Sequence, residues 1–114
     1  MEEKNIHDSR SCPVEVIAVI LGKKWIPTII FSLYENEELR LGEILKKLDG
    51  CSKKMLIQQL TTLMDTHIVQ NKKIFKNNTV ESYYYLSHYG KKLIPVLKNI
   101  KLLGCEYQKI ECNK

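Results

Sequence analysis

The chain has 114 residues and a mass of 13.3 kDa, of which 44% are hydrophobic and 27% charged, with a formal net charge of +5. That is the composition of one ordinary globular domain, large enough to hold a core without staples and too small for a second domain, which excludes a large multi-step enzyme. No run approaches the roughly 20 apolar residues that span a bilayer, and the start is polar and acidic, so a cytoplasmic protein with no membrane association is expected.

Residues 1–11 read as a polar arm and residues 12–114 as the folded domain. Cys12-Pro13 opens a first helix, since proline suits a helix start, and Val14, Val16, Ile17, Val19, Ile20 and Leu21 predict that it is largely buried. Gly22 interrupts it. Trp25, Ile26, Ile29, Ile30, Leu33 and Tyr34 then recur at helical spacing, with Pro27 in the first turn, and Glu35 to Glu38 end this second helix. Leu39-Arg40-Leu41 predicts a very short strand, followed by a third helix from Gly42 to Leu48 that Asp49-Gly50 closes.

Ser52 is a suitable N-cap for a fourth helix, in which Leu56, Leu60 and Leu63 form one apolar stripe flanked by Met64. Two short helices joined by a tight glycine turn are a helix-turn-helix candidate. The face opposite the stripe carries Lys54, Gln58, Thr61, Thr62 and Asp65, side chains able to reach base edges or phosphates. From Ile68 the period changes to that of strands. Lys72-Lys73-Ile74-Phe75-Lys76, the pair Asn77-Asn78, and Thr79-Val80 with Tyr83-Tyr84-Tyr85-Leu86 predict a β-hairpin with a basic tip, because Asn-Asn accepts positive φ. A hairpin directly after a helix-turn-helix is a wing. Gly90 then precedes a last helix, Lys91 to about Glu111, which is more apolar than one packing face requires. A second chain is expected to cover the excess, making a homodimer. The fold class is therefore mainly α with a small β-hairpin wing, a winged helix-turn-helix with a C-terminal dimerisation helix.

The charge distribution fits this reading. Arg40 to Lys92 holds ten basic residues against four acidic ones, while the rest of the chain holds eight against nine. A basic middle in a neutral frame is expected of a protein that meets phosphates with one face, although a lysine-rich solvated surface has the same composition.

The order of elements and the residues within them resemble the HxlR-type winged helix-turn-helix regulators, relatives of the MarR-like repressors, from Cys12 to about Gly104. The matching pieces are Cys12-Pro13-Val14-Glu15, Gly22-Lys23-Lys24-Trp25, Leu39-Arg40-Leu41-Gly42-Glu43-Ile44, Ser52-Lys53-Lys54-Met55-Leu56 with Gln59-Leu60, Tyr84-x-Leu86-Ser87-x-x-Gly90, and Leu93-Ile94-Pro95-Val96-Leu97. Two departures stand out. Family wings usually carry a Pro-Pro turn and a basic residue where this chain has Asn77-Asn78-Thr79, and Cys51 takes a position before the cap that is usually aliphatic.

The resemblance implies a sequence-specific transcription regulator that reads a pseudo-palindromic operator in double-stranded DNA. Expected DNA contacts are Arg40, Ser52, Lys53, Lys54, Gln58, Thr61 and Thr62, with Lys72, Lys73 and Lys76 tracking the backbone from the wing. Lysine on a strand edge also guards against aggregation, which is the competing reading of the wing. The expected dimer face is Val14, Ile17, Leu97, Ile100, Leu103 and Tyr107. Trp25 and Tyr83 to Tyr85 read as packing residues rather than a ligand cage.

Four cysteines (Cys12, Cys51, Cys105, Cys112) without a C-x-x-C pair read as thiols rather than a zinc knuckle. Cys12 lies at a helix start, near Arg10 in sequence, where the helix dipole favours a thiolate. The resemblance makes it the residue expected to sense oxidants or electrophiles, with a small buried hydrophobe as the alternative; Cys51 of the opposite subunit is the expected second thiol because it directly precedes the Ser52 cap, and Cys105 on the last helix is the competing partner. Cys105 and Cys112, seven residues apart, are expected on one helix face but too far apart to bridge within it. His7, His67 and His88 have no metal-pair spacing, and no catalytic constellation, P-loop or dinucleotide motif occurs, so neither enzyme activity nor a cofactor is expected. A winged-helix protein-interaction module with no DNA target remains the alternative function.

Overall fold

Residues 12–113 are described by the structure, a computed structural model. The arm expected over residues 1–11 lies outside them. Helix α1 (Pro13–Leu21) starts at Cys12, whose backbone is extended, with the proline in the first turn. Its apolar residues go all round the helix, yet only Ile20 is buried, and Val14 and Val19 are 74% and 59% exposed. The expectation of a largely buried helix is thus corrected for the described residues: α1 packs on α2, and nothing else among them buries the rest of it.

Trp25 turns the chain between the helices with a left-handed φ of 79°, a conformation that costs a non-glycine residue roughly 1–2 kcal/mol. Its ring packs on the core and carries the Lys24 ammonium 4.8 Å from its centroid. Helix α2 (Ile26–Asn36) is the centre of the domain, burying Ile26, Ile29, Ile30, Ser32 and Leu33. No single helix among the described residues is long and apolar enough to cross a membrane, and α1 and α2 meet at 81°.

The short strand expected at residues 39–41 shrinks to one residue. Leu39 exchanges both backbone hydrogen bonds with Tyr84, at 3.0 and 2.8 Å, after which helix α3 (Leu41–Lys46) begins at once. The Arg40 N–H donates to the Glu43 carboxylate at 2.8 Å and fixes that start. Gly50, at φ +85°, makes the turn into helix α4 (Lys53–Asp65). Ser52 caps α4 as expected, its Oγ accepting from the Met55 N–H at 3.1 Å, and Leu56, Leu60 and Leu63 are fully buried.

Strands β1 (Val69–Lys76) and β2 (Thr79–Leu86) form the antiparallel hairpin, registered from Val69 opposite Leu86 to Lys76 opposite Thr79. Asn77 and Asn78, at φ 51° and 62°, form the two-residue turn, which matches the right-handed twist of the strands. At the hairpin base the Ser87 hydroxyl donates to the His67 carbonyl at 2.6 Å and accepts from the Gly90 N–H at 2.8 Å. Gly90 precedes the last helix, though not directly. It lies inside a short helix α5 (His88–Lys91), pressed so closely on Ile68 that a Cβ would stand 2.2 Å from the Ile68 carbonyl oxygen.

Helix α6 (Leu93–Cys112) buries Leu93, Ile94 and Leu97 in its first turns, and every residue from Lys98 to Asn113 is exposed. The radius of gyration, 16.3 Å, exceeds the roughly 13 Å of a compact domain of about 100 residues because α6 projects from the body.

Candidate DNA interface

The helix-turn-helix presents α4 with its leucine stripe buried in the common core and its other side bare. Lys53, Lys54, Gln58 and Thr61 are exposed. Thr62 is half-buried, and its hydroxyl donates back to the Gln58 carbonyl at 3.2 Å, which leaves the methyl outward as the simpler contact. The Ser52 oxygen is engaged by the cap, so only its hydroxyl proton is free for a phosphate. One residue of this face escaped sequence reasoning. Ile57, 45% exposed, sits among Lys54, Gln58 and Thr61 at helical spacing and offers the kind of apolar surface that meets a thymine methyl. Its apolar character had no place in a pattern that assigns apolar residues to the core.

The wing is less uniform than its sequence. Successive strand residues point to opposite sides, so Lys72 and Lys76 share one side of the ribbon and Lys73 the other. Lys72 is also committed elsewhere: its Nζ lies 2.6 Å from the Glu38 carboxylate and over the Tyr85 ring at 5.8 Å, and the hydrogen bond to Glu38 raises its pKa. Of the three lysines expected to track the backbone, Lys72 is thus ion-paired in the free chain, and Lys73 lies on the other side of the ribbon from Lys72 and Lys76. Lys73 donates to the Asn71 side chain at 3.2 Å, and Lys76 stands exposed beside the turn. Arg40, at the start of α3, has its guanidinium 3.7 Å from Glu81, half exposed. Glu81 in turn accepts from the Tyr83 hydroxyl at 2.9 Å, which raises the Tyr83 pKa. Arg40, Glu81 and Tyr83 therefore tie the helix-turn-helix to the wing, so Arg40 serves the scaffold whether or not it meets a phosphate.

Cys12 is exposed at the start of α1, beyond which Arg10 is not described. Cys51 is half-buried against the core just before the α4 cap, its Sγ 3.4 Å from the Ser52 carbonyl. Cys105 and Cys112 are exposed on α6, together with Gln108 and Lys109 beside a shallow groove. Of the residues expected at a dimer face, Val14, Ile100, Leu103 and Tyr107 are at least half exposed, and Ile17 is partly covered. Leu97 is corrected: at 4% exposure it belongs to the chain's own core, because α6 turns this side inward before it leaves the body. Val96 and Ile110, 44% and 61% exposed, are uncovered apolar residues of α6 that the expected face lacked.

Two helices joined at Gly50, a capped second helix with a bare polar side, and a hairpin anchored to both define a winged helix-turn-helix protein, the class of DNA-binding transcription regulators. The chain belongs to the HxlR-like helix-turn-helix family, whose model matches residues 20–111. It is 31% identical over 106 residues to a regulatory protein, provisionally so named, MalR, of Fusobacterium mortiferum, covering 93% of this chain and 96% of that protein. Among solved structures it is similar to the reduced form of the transcriptional regulator YodB from Bacillus subtilis, with 29% identity, a TM-score of 0.73, and coverage of 81% of this chain and 89% of that one. YodB has also been solved after diamide treatment and with quinone bound. The redox regulator HypR in its reduced form shares the fold, with a TM-score of 0.80, 21% identity, and coverage of 90% and 100%.

Proposed function

We propose that the chain works as a homodimer that reads a pseudo-palindromic operator through two copies of α4, in the cytoplasm, and that oxidation or alkylation of Cys12 changes its affinity for DNA. The bare side of α4, with Lys53, Lys54, Gln58 and Thr61 opposite a sealed leucine stripe, carries the DNA-binding part of this reading. Cys12 supports the regulatory part. It is exposed at the start of α1, beside the uncovered Val14 in the surface expected between subunits. A regulator with 29% identity solved in reduced, diamide-treated and quinone-bound forms adds to it.

Cys51 of the partner subunit is the favoured second thiol, because a tether just before the Ser52 cap would displace the start of α4. Half-sites lie one helical turn, about 34 Å, apart, so a shift of a few ångströms spoils the fit. Cys105 of the partner subunit competes for the same role.

Binding to duplex DNA is expected to weaken steeply with salt as counterions compete for phosphates. Absence of any salt-dependent duplex binding would instead favour a protein-interaction module. Diamide treatment is expected to change the gel shift of the wild-type protein and to leave Cys12→Ser unaffected, with the cross-linked peptide identified by mapping after non-reducing electrophoresis. A Cys12→Ser variant that responds as wild type does removes the sensor role and leaves DNA binding standing.

A further inference from the structure

The wing tip carries a feature that neither the helix-turn-helix nor the dimer explains. Phe75 is 72% exposed, and Val80, its register partner across the hairpin, is 59% exposed. Both point to the side of the ribbon that Val69 and Leu86 seal against the domain at the other end. At the tip nothing among the described residues covers it. From Thr66 to Val80 the chain has three lysines and no Asp or Glu, so the tip around this apolar pair is positive, with Lys73 two residues before Phe75 and Lys76 directly after it; the carboxylate next along the ribbon, Glu81, is engaged by Tyr83 and Arg40.

An exposed ribbon end is where natural proteins place charge or proline to avoid association, which makes a paired phenylalanine and valine there a costly arrangement without a partner. A partner that is apolar in the middle and negative at both margins fits it. The floor of a duplex minor groove, with stacked bases between two rows of phosphates, is such a surface.

We infer that Phe75, backed by Val80, is a wedge that presses on a base step in the minor groove beside the site that α4 reads, while Lys73 and Lys76 hold the phosphates on either side. This rests on the DNA-binding reading and adds a source of specificity to it. Partial unstacking is easiest at pyrimidine–purine steps, so the wing selects flanking sequence by deformability, without hydrogen bonds to bases, and bends the duplex toward the major groove.

The test uses the full chain and a duplex selected by the wild-type protein from random 30-base-pair sequences. Three readouts apply: affinity, bend angle from circularly permuted fragments, and the fluorescence of 2-aminopurine placed in turn at each flanking step. Wild type is expected to brighten 2-aminopurine at one flanking step on each side. Phe75→Ser is expected to lose that signal, reduce the bend and weaken binding roughly tenfold, as removal of a buried aromatic contact does, with the salt slope unchanged because no charge is lost. Phe75→Leu should keep most of the effect. The exposure of Phe75 means that Phe75→Ser should melt as wild type does.

Wild-type binding without a flanking 2-aminopurine signal overturns the wedge without involving any variant, as does Phe75→Ser with unchanged bend and flanking preference. If Phe75→Ser alters the sedimentation of the free protein and leaves DNA binding as it was, the patch joins protein copies and the wedge fails. Should the wild type bind no duplex in a salt-dependent way, the DNA-binding reading fails and the wedge falls with it.

Discussion

Lys54 and Gln58 stand one turn apart on the exposed side of α4 and would do different work on a duplex. The lysine is a point charge suited to a phosphate, while the glutamine amide can pair bidentately with adenine. Lys54→Ala is expected to weaken binding to every duplex and to lower the slope of log affinity against log salt by about 0.9, the share of one phosphate contact. Gln58→Ala should cost about 1–3 kcal/mol on the preferred operator only, and little on unrelated DNA. Equal affinity of the Lys54 variant and wild type at every salt concentration would take that lysine out of the interface. These positions were legible in the sequence because a single wheel with a leucine stripe fixes which side faces away. Lys72 was not, since the wheel and the strand alternation are local and its partner Glu38 lies 34 positions earlier, just beyond the end of α2.

At the scale of elements, the hairpin and the joint behind it show where local signals suffice and where they stop. The turn at Asn77-Asn78 could be read directly, because a two-residue hairpin needs two residues that accept positive φ and asparagine does so readily. The role of Gly90 could not. Its need for a missing side chain comes from the approach of Ile68, 22 positions away, and a sequence pattern shows only that a glycine is there. Gly90→Ala is expected to push α5 off the hairpin base and to disturb the Ser87 bonds. We expect a loss of about 1–3 kcal/mol, typical of overpacking. For a domain of this size each kcal/mol lowers the melting temperature by about 4–8 °C. An alanine variant that melts with wild type would show that the joint yields at no cost. The exposure of α1 was not legible for a related reason. Apolar residues all round a helix tell that it wants cover, and not which chain provides it.

At the scale of the whole molecule, the uncovered surfaces of α1 and α6 are the main unsatisfied feature. Val14 and Val19 on one helix, and Ile100, Leu103, Tyr107 and Ile110 on the other, expose more apolar surface than a lone domain of this size would keep in water. A dimer through these faces is expected, and Leu103→Asp should shift sedimentation toward the 13.3 kDa monomer at micromolar concentration, while wild type stays at twice that mass. Wild type sedimenting as a monomer under the same conditions would count decisively against it. The core positions of α2 and α4 were legible because each helix closes on its own domain. The fate of α6 was only half legible: Leu97 and Ile100 are one turn apart and belong to the same apolar run, yet the body ends between them.

The bare outer length of α6 also ties the protein's durability to its amount. In the expected dimer, with its apolar side covered by another copy, this helix would gain stability by mass action, so the melting temperature should climb as the protein is concentrated. In a cell, newly made chains at low copy number would be the ones most open to proteolysis, and each further copy would lengthen the life of those already present. Supply of the regulator would then respond more than proportionally to its rate of synthesis, from the geometry of one projecting helix.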